Sequence, residues 1–271
     1  MNQLPADQRP MVAPCRQIPV NAPFRWIKLG FSDFKQVPLL SVLYGLVMMI
    51  ISVVITYIAY QAHSIVLAIA LTAGFFFIGP IIGIGLYSLS RQLNNNVPPQ
   101  LFRCLRESRK NFSNAMVLSL IFLIVFLVWA RAASMVHIFF PSMSSLDIQG
   151  WIKFLSIGTA VGAVFSVVIF CMGAFSIPMI MDRNVDTVAA VITSINAVLK
   201  NKLTMLVWGA LIVSLTLIGI ATFYLGFIIL LPVIGHATWH AYKDTIDADA
   251  WELGPGLNKQ PIEQTPAKRL S

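Results

Sequence analysis

Six apolar stretches, each near the length a helix needs to cross a bilayer, constrain this chain more than any other feature. They run over 38–60, 65–89, 112–130, 154–177, 203–220 and 222–242. A helix spans the roughly 30 Å hydrocarbon layer with about 20 residues, and only helices and closed barrels satisfy their own backbone there. The stretches are continuously apolar rather than alternating, which selects helices. Almost no polar residue separates the last two. Leu203–Tyr242 as a single helix would be about 60 Å long, twice the hydrocarbon thickness, so a turn is expected near Gly219–Thr222. Composition agrees: of 271 residues, 57% are hydrophobic and 11% charged, with mean hydropathy +0.78. Soluble domains carry about 25% charged residues, and disordered chains pair low hydrophobicity with high charge; both classes are excluded.

The charges alternate by side. Five Lys and Arg precede the first stretch, five lie between the second and third, three between the fourth and fifth, and four follow the last. The other two, Arg131 and Lys153, share the loop between the third and fourth. The positive-inside rule then puts both termini in the cytoplasm. The net charge of +8 is read as facing anionic lipid rather than nucleic acid. Residues 1–23 and 244–271 are expected to be disordered tails around a membrane domain at 24–243. No cleavable signal sequence is visible, so the first stretch is expected to act as an uncleaved anchor. Cys15, Cys104 and Cys171 have no metal-site or disulfide spacing.

Three stretches are preceded by amphipathic segments. Phe24, Ile27, Phe31 and Phe34 lead into the first. Leu101, Leu105 and Phe112, with Arg103, Arg106 and Arg109 opposite, lead into the third. Val185, Val188, Ile192, Ile195 and Leu199 lead into the fifth, with Asp186, Thr193, Asn196 and Lys200 off the stripe. Such a pattern predicts short cytoplasmic helices in the membrane interface. Stretches two, four and six each carry a proline in the inner half, Pro80, Pro178 and Pro232, where a kink frees a carbonyl. The pattern suggests three repeated units; the alternative is the ordinary look of any six-span protein. Gly79 and Gly83, and again Gly158 and Gly162, have the spacing of close helix packing. A glycine-lined substrate path is the other reading.

No charged residue falls in the middle of a stretch, which speaks against proton or ion coupling. No nucleotide-binding, hydrolase or metalloprotease motif is present, so no catalytic residue and no cofactor is assigned. His63 and His137 fall on the outer side. His236 and His240 fall one helical turn apart near the inner end of the last stretch. That pair is the one candidate metal site. A third donor would come from Cys104, Tyr87 or Asp182, since even a catalytic zinc takes three protein ligands. The alternative is an interfacial pair in a belt with Trp239 and Tyr242.

Four runs carry a family resemblance: Leu231-Pro232-Val233-Ile234-Gly235-His236-Ala237-Thr238-Trp239-His240, Trp26 through Phe34, Gly79-Pro80 through Arg91, and Pro178 through Arg183. Together they resemble the bacterial membrane family catalogued as domain of unknown function 2189, over roughly residues 24–243. The resemblance implies an inner-membrane protein of about six spans and implies no activity. Some members are labelled cytochrome c oxidase subunit I-like. A haem–copper oxidase core resembles a twelve-span protein with six ligating histidines, against the four here, split between two sides. The expectation is an all-α integral membrane protein, a six-transmembrane-helix bundle. Its expected role is a non-enzymatic scaffold or assembly partner in contact with the lipid bilayer and another membrane protein. The rival is a metal-, haem- or small-solute-handling protein using His236 and His240.

Overall fold

The computed structural model describes residues 10–62, 83–139 and 148–254. The described chain is helical: α1 (Ala22–Gln36), α2 (Pro38–Ala62), α3 (83–94), α4 (Leu101–Lys110), α5 (Phe112–Phe139), α6 (Ile148–Gly173), α7 (Ser176–Asp182), α8 (Thr187–Lys200), α9 (Lys202–Ala221) and α10 (Phe227–Thr245). Among the described residues, four helices are long and apolar enough to cross a membrane, over Pro38–Gln61, Phe112–Met135, Ile148–Asp182 (counted through the bend before α7) and Lys202–Ala221. The expected second stretch lies mostly outside the described residues, with its end at the start of α3. The expected sixth is α10, whose 19 residues reach about 28 Å at 1.5 Å each. Its second half carries His236, Thr238, His240, Lys243 and Asp244, and it is buried in the protein along most of its length. Against the expected six spans, the described residues show four helices of clear membrane-crossing composition.

All three amphipathic helices form, and each joins a long apolar helix through a single residue: Val37, Asn111 and Asn201. Pro38 explains the first joint. The residue before a proline is pushed out of the helical region, and Val37 sits at φ −131°, ψ 56°. At the other two an asparagine caps the ending helix. The Asn111 amide donates to the Glu107 carbonyl at 3.2 Å and the Asn201 amide to that of Ala197 at 3.0 Å. The threefold repeat goes no further than these joints. Pro178 lies in α7, just past a break from α6, whereas Pro232 lies inside continuous α10, and Pro80 is outside the described residues.

Much of each apolar stripe faces outward, which fits an interfacial helix, but the opposite faces are packed rather than solvated. Phe24 and Phe31 of α1, Phe102 and Leu105 of α4, and Val188 and Leu199 of α8 are exposed, so the apolar stripes point outward. The buried faces are mostly small or polar, with Gly30 and Asp33 in α1, Cys104 and Glu107 in α4, and Ala190, Thr193, Ser194 and Ala197 in α8, beside the larger apolar Trp26, Val191 and Val198. Thr193, expected to face water, is fully buried. Outward apolar stripes suit a lipid boundary, and the inner faces pack on the protein's own chain.

The core gathers on α10, with α1, α2, α7 and α9 against it. Trp26 and Trp208 meet edge to face at 5.6 Å. Glycine sets the tightest crossings, but not the expected ones. A Cβ on Gly30 would lie 2.6 Å from the Val233 carbonyl oxygen and the Ala237 nitrogen of α10. One on Gly45 would overlap the Ile228 carbonyl. That carbonyl lies four residues before Pro232 and so lacks its usual helical donor; α2 crosses where the proline freed it. Gly83 meets only Tyr87 of its own helix, Gly158 meets nothing within 4 Å, and Gly162 only Trp129. Gly79 is outside the described residues.

The turn between α9 and α10 occupies 222–226, slightly beyond the expected place. The Phe223 N–H donates to Ile220 at 2.9 Å and the Tyr224 N–H to Gly219 at 3.0 Å, the paired bonds of a left-handed helix terminator. Phe223 and Tyr224 have φ of 53° and 68°, a conformation that non-glycine residues take at a cost of about 1–2 kcal/mol.

The expected tails are in part ordered. Residues 10–21 form a strap. Ala13 N–H donates to the Thr193 hydroxyl at 3.1 Å, Ile18 N–H to Asn201 Oδ1 at 2.8 Å and Arg16 N–H to the Thr245 carbonyl at 2.8 Å. Residues 246–254 dock beside it through Asp247 N–H to Pro14 and Gly254 N–H to Asp182, and Trp251 is buried. The polar backbone of both segments finds partners on α8, α9, α10 and the end of α7, which sequence periodicity could not reveal.

Candidate functional site

One end of the bundle collects the strap, α1, the end of α3, α4, α7, α8 and the end of α10. Here the buried polar side chains form three linked groups. The first centres on His236, which is fully buried. Its Nε2 lies 3.0 Å from Ser41 Oγ and its Nδ1 2.6 Å from Ser90 Oγ, so α10 is tied to α2 and α3. Both ring nitrogens are occupied, and no carboxylate orients the ring as in a nucleophile–base pair. One turn on, His240 Nε2 lies 2.9 Å from Asp33 Oδ2 of α1. Asp244, a further turn along, accepts from Trp26 Nε1 at 2.6 Å and from Arg25. Helical spacing thus aligns three α10 side chains against α1 and α2.

The second group surrounds Asp182, at the end of α7. Its carboxylate accepts from Tyr242 OH at 2.9 Å, and lies 3.2 Å from Arg183 Nε and Lys243 Nζ and 3.5 Å from Arg91 Nε. Arg91 also donates to the carbonyls of Met181 at 3.0 Å and Gly254 at 3.2 Å, and Arg183 to Asp249 at 2.6 Å and the Trp251 carbonyl at 3.0 Å. Removing one partner of a buried ion pair costs about 3–5 kcal/mol, so this group locks α3, α7, α10 and the C-terminal segment together.

The third group joins α3 to α4. Ser88 donates to the Glu107 carboxylate, and the Gln92 amide donates to Ser88 at 3.1 Å and to Cys104 Sγ at 3.3 Å. Burial pushes both the Glu107 carboxyl and the Cys104 thiol above their ordinary pKa values, only partly offset by these hydrogen bonds.

His236 and His240 are therefore on one face, as expected, but each meets an oxygen from another helix. Cys104, Tyr87 and Asp182 do not join them as donors: Cys104 sits with Gln92, the Tyr87 hydroxyl with Thr238, and Asp182 with Tyr242. Among the described residues, no group of three or more His, Cys, Asp or Glu side chains is placed to hold a metal ion. His63 lies outside those residues. Sequence reasoning missed Arg91, Glu107 and Asp33 as buried partners. Asp182 is already among the possible donors read from the sequence, and a signal for Arg91 exists there, since it stands two residues past the end of an apolar stretch.

Apart from this end, an open groove of about 450 Å³ lies between α5 and α6, lined by Phe126, Trp129, Gly162, Phe165, Ser166 and Phe170. It faces outward where a bilayer would lie.

Long apolar helices, outward apolar surfaces and buried polar groups gathered mainly at one end define a multi-pass helical integral membrane protein. Residues 67–182 match the family described as "Predicted integral membrane protein (DUF2189)", the family that the sequence resembles. The match takes in α3 to α7 and is narrower than the 24–243 of that resemblance, leaving out the runs at 26–34 and 231–240. No curated protein and no solved structure matches the chain.

Proposed function

We propose that this protein is a non-enzymatic scaffold or assembly partner in a bacterial inner membrane, crossing it six times with both termini in the cytoplasm. The observation that carries this reading is the use of the polar side chains. His236, His240, Asp182, Glu107 and Arg183 each bind another element of the same chain, an arrangement that braces helices rather than opening a pocket to a substrate. The charge alternation and the resemblance support the orientation and the membrane. A partner fits best along α6, which buries none of its residues within the chain.

The test uses the full chain extracted in mild detergent. A scaffold runs as a particle larger than its own 29.9 kDa plus detergent, with a second polypeptide in fixed ratio. Gly158→Leu, which meets nothing within 4 Å in the chain, should dissolve that particle and leave the helical circular dichroism unchanged. A lone chain carrying stoichiometric metal or haem would overturn the reading in favour of ligand handling.

A further inference from the structure

Exposed cations without an ion pair among the described residues occur at this end of the bundle on α1 (Lys28), α9 (Lys202) and α4, and α4 carries two arginines among them. Arg16, Arg25, Arg183 and Lys243 are paired with Asp247, Asp244, Asp249 and Asp182. Arg106 and Arg109 are exposed and, among the described residues, make no ion pair or hydrogen bond. At 100° per residue, Leu105, Arg109, Phe102 and Arg106 fall within an arc of about 100°, opposite the buried Cys104 and Glu107. Phe102 is 76% and Leu105 57% exposed. The one acidic residue of the helix, Glu107, is thus turned inward onto Ser88. One residue, Asn111, separates α4 from α5, a helix able to cross a membrane. That joint holds the outward face at the edge of the hydrocarbon layer, where headgroup phosphates lie.

We propose that the outward face of α4 is a docking surface for anionic phospholipid. Arg106 and Arg109 pair with headgroup phosphate, and Phe102 and Leu105 enter the acyl boundary between them. A guanidinium offers a planar fork of donors that matches phosphate, and aromatic and aliphatic side chains beside basic ones are what an interfacial helix uses to anchor. Net positive charge with no acidic residue on that face selects anionic over zwitterionic lipid. This goes beyond the scaffold reading and does not depend on it.

The experiment reconstitutes the full chain into phosphatidylcholine vesicles containing a minority of phosphatidylglycerol. Spin-labelled versions of the two lipids report which one the protein immobilises. The wild type should prefer phosphatidylglycerol by about threefold to tenfold, as expected for a few basic residues at a membrane surface. The double variant Arg106→Gln/Arg109→Gln should bring the preference close to unity, and Arg131→Gln, in the far part of α5, should keep it. If the double variant fails to fold, salt on the wild type decides: the preference should collapse as the Debye length shrinks to about 3 Å near 1 M. No preference in the wild type at low salt would overturn the proposal, as would a preference that survives both the double variant and salt. Loss of the preference to millimolar inorganic phosphate would reassign the face to a free anion. Binding of polyglutamate without lipid preference would reassign it to an acidic protein.

Discussion

Glu107 brings a carboxyl to a position only 1% exposed, with one oxygen accepting from Ser88 and the other unpartnered among the described residues. Burial raises its pKa above the ordinary 4.5, so the folded state holds this proton more tightly than the unfolded chain. The stability linked to it is complete below about pH 4.5 and is lost as pH rises through the folded value. Melting temperature in detergent should therefore fall across that window in the wild type more than in Glu107→Gln; parallel curves would show that the carboxyl gains nothing from its proton. His236 makes a second residue-scale expectation. His236→Leu strands the Ser41 and Ser90 hydroxyls, at about 1–3 kcal/mol for buried groups left unpaired, while His236→Gln keeps part of the hydrogen bonding and should melt closer to the wild type. Equal melting of the two variants would contradict the bracing role. The histidine pair was legible in the sequence because one helical turn is a local relation. Its partners were not, since Ser41 and Asp33 lie about two hundred positions away. The same distance hid Gly30 and Gly45, whose need for close approach comes entirely from α10.

At the scale of elements, the three amphipathic helices and their single-residue joints could be read from the chain, since periodicity, a proline and two asparagines are local signals. Which face each helix buries could not. In water an apolar stripe seeks the core, but at a bilayer it can meet lipid while small and polar residues pack inward. Helix α8 shows the outcome: Val188 is exposed and Thr193 buried under the strap. Thr193→Val keeps the shape and removes only the hydroxyl that accepts from Ala13 N–H. The expected loss is about 1–3 kcal/mol, seen as a lower melting temperature together with faster tryptic cleavage at Arg16 as the strap lifts. Unchanged melting and unchanged cleavage would mean that the strap is held elsewhere. The ordered strap and the docked 246–254 segment escaped sequence reading because neither has apolar periodicity; their backbone groups, paired to α8, α10 and α7, hold them.

For the whole molecule, the central claim is that one end of a membrane-crossing bundle is knitted shut by its own polar residues. The strap, the α3–α4 loop, the α7–α8 joint and the C-terminal segment would then share one side of the bilayer, with the α9–α10 turn on the other. The alternation of basic segments points to the same arrangement, and it does so from charge counts along the chain rather than from packing. The number of crossings was less legible, since α10 mixes a spanning length with a polar second half. The most direct measurement places single cysteines at Gln17, Asn96, Asn184, Asp249 and Phe223, all exposed, in a chain whose Cys15, Cys104 and Cys171 are replaced by serine. A membrane-impermeant maleimide is applied to sealed vesicles of known orientation. The account predicts that the first four positions label from the same side and Phe223 from the opposite one; labelling of Asn96 and Asn184 from different sides, or of Phe223 together with the other four, would contradict it.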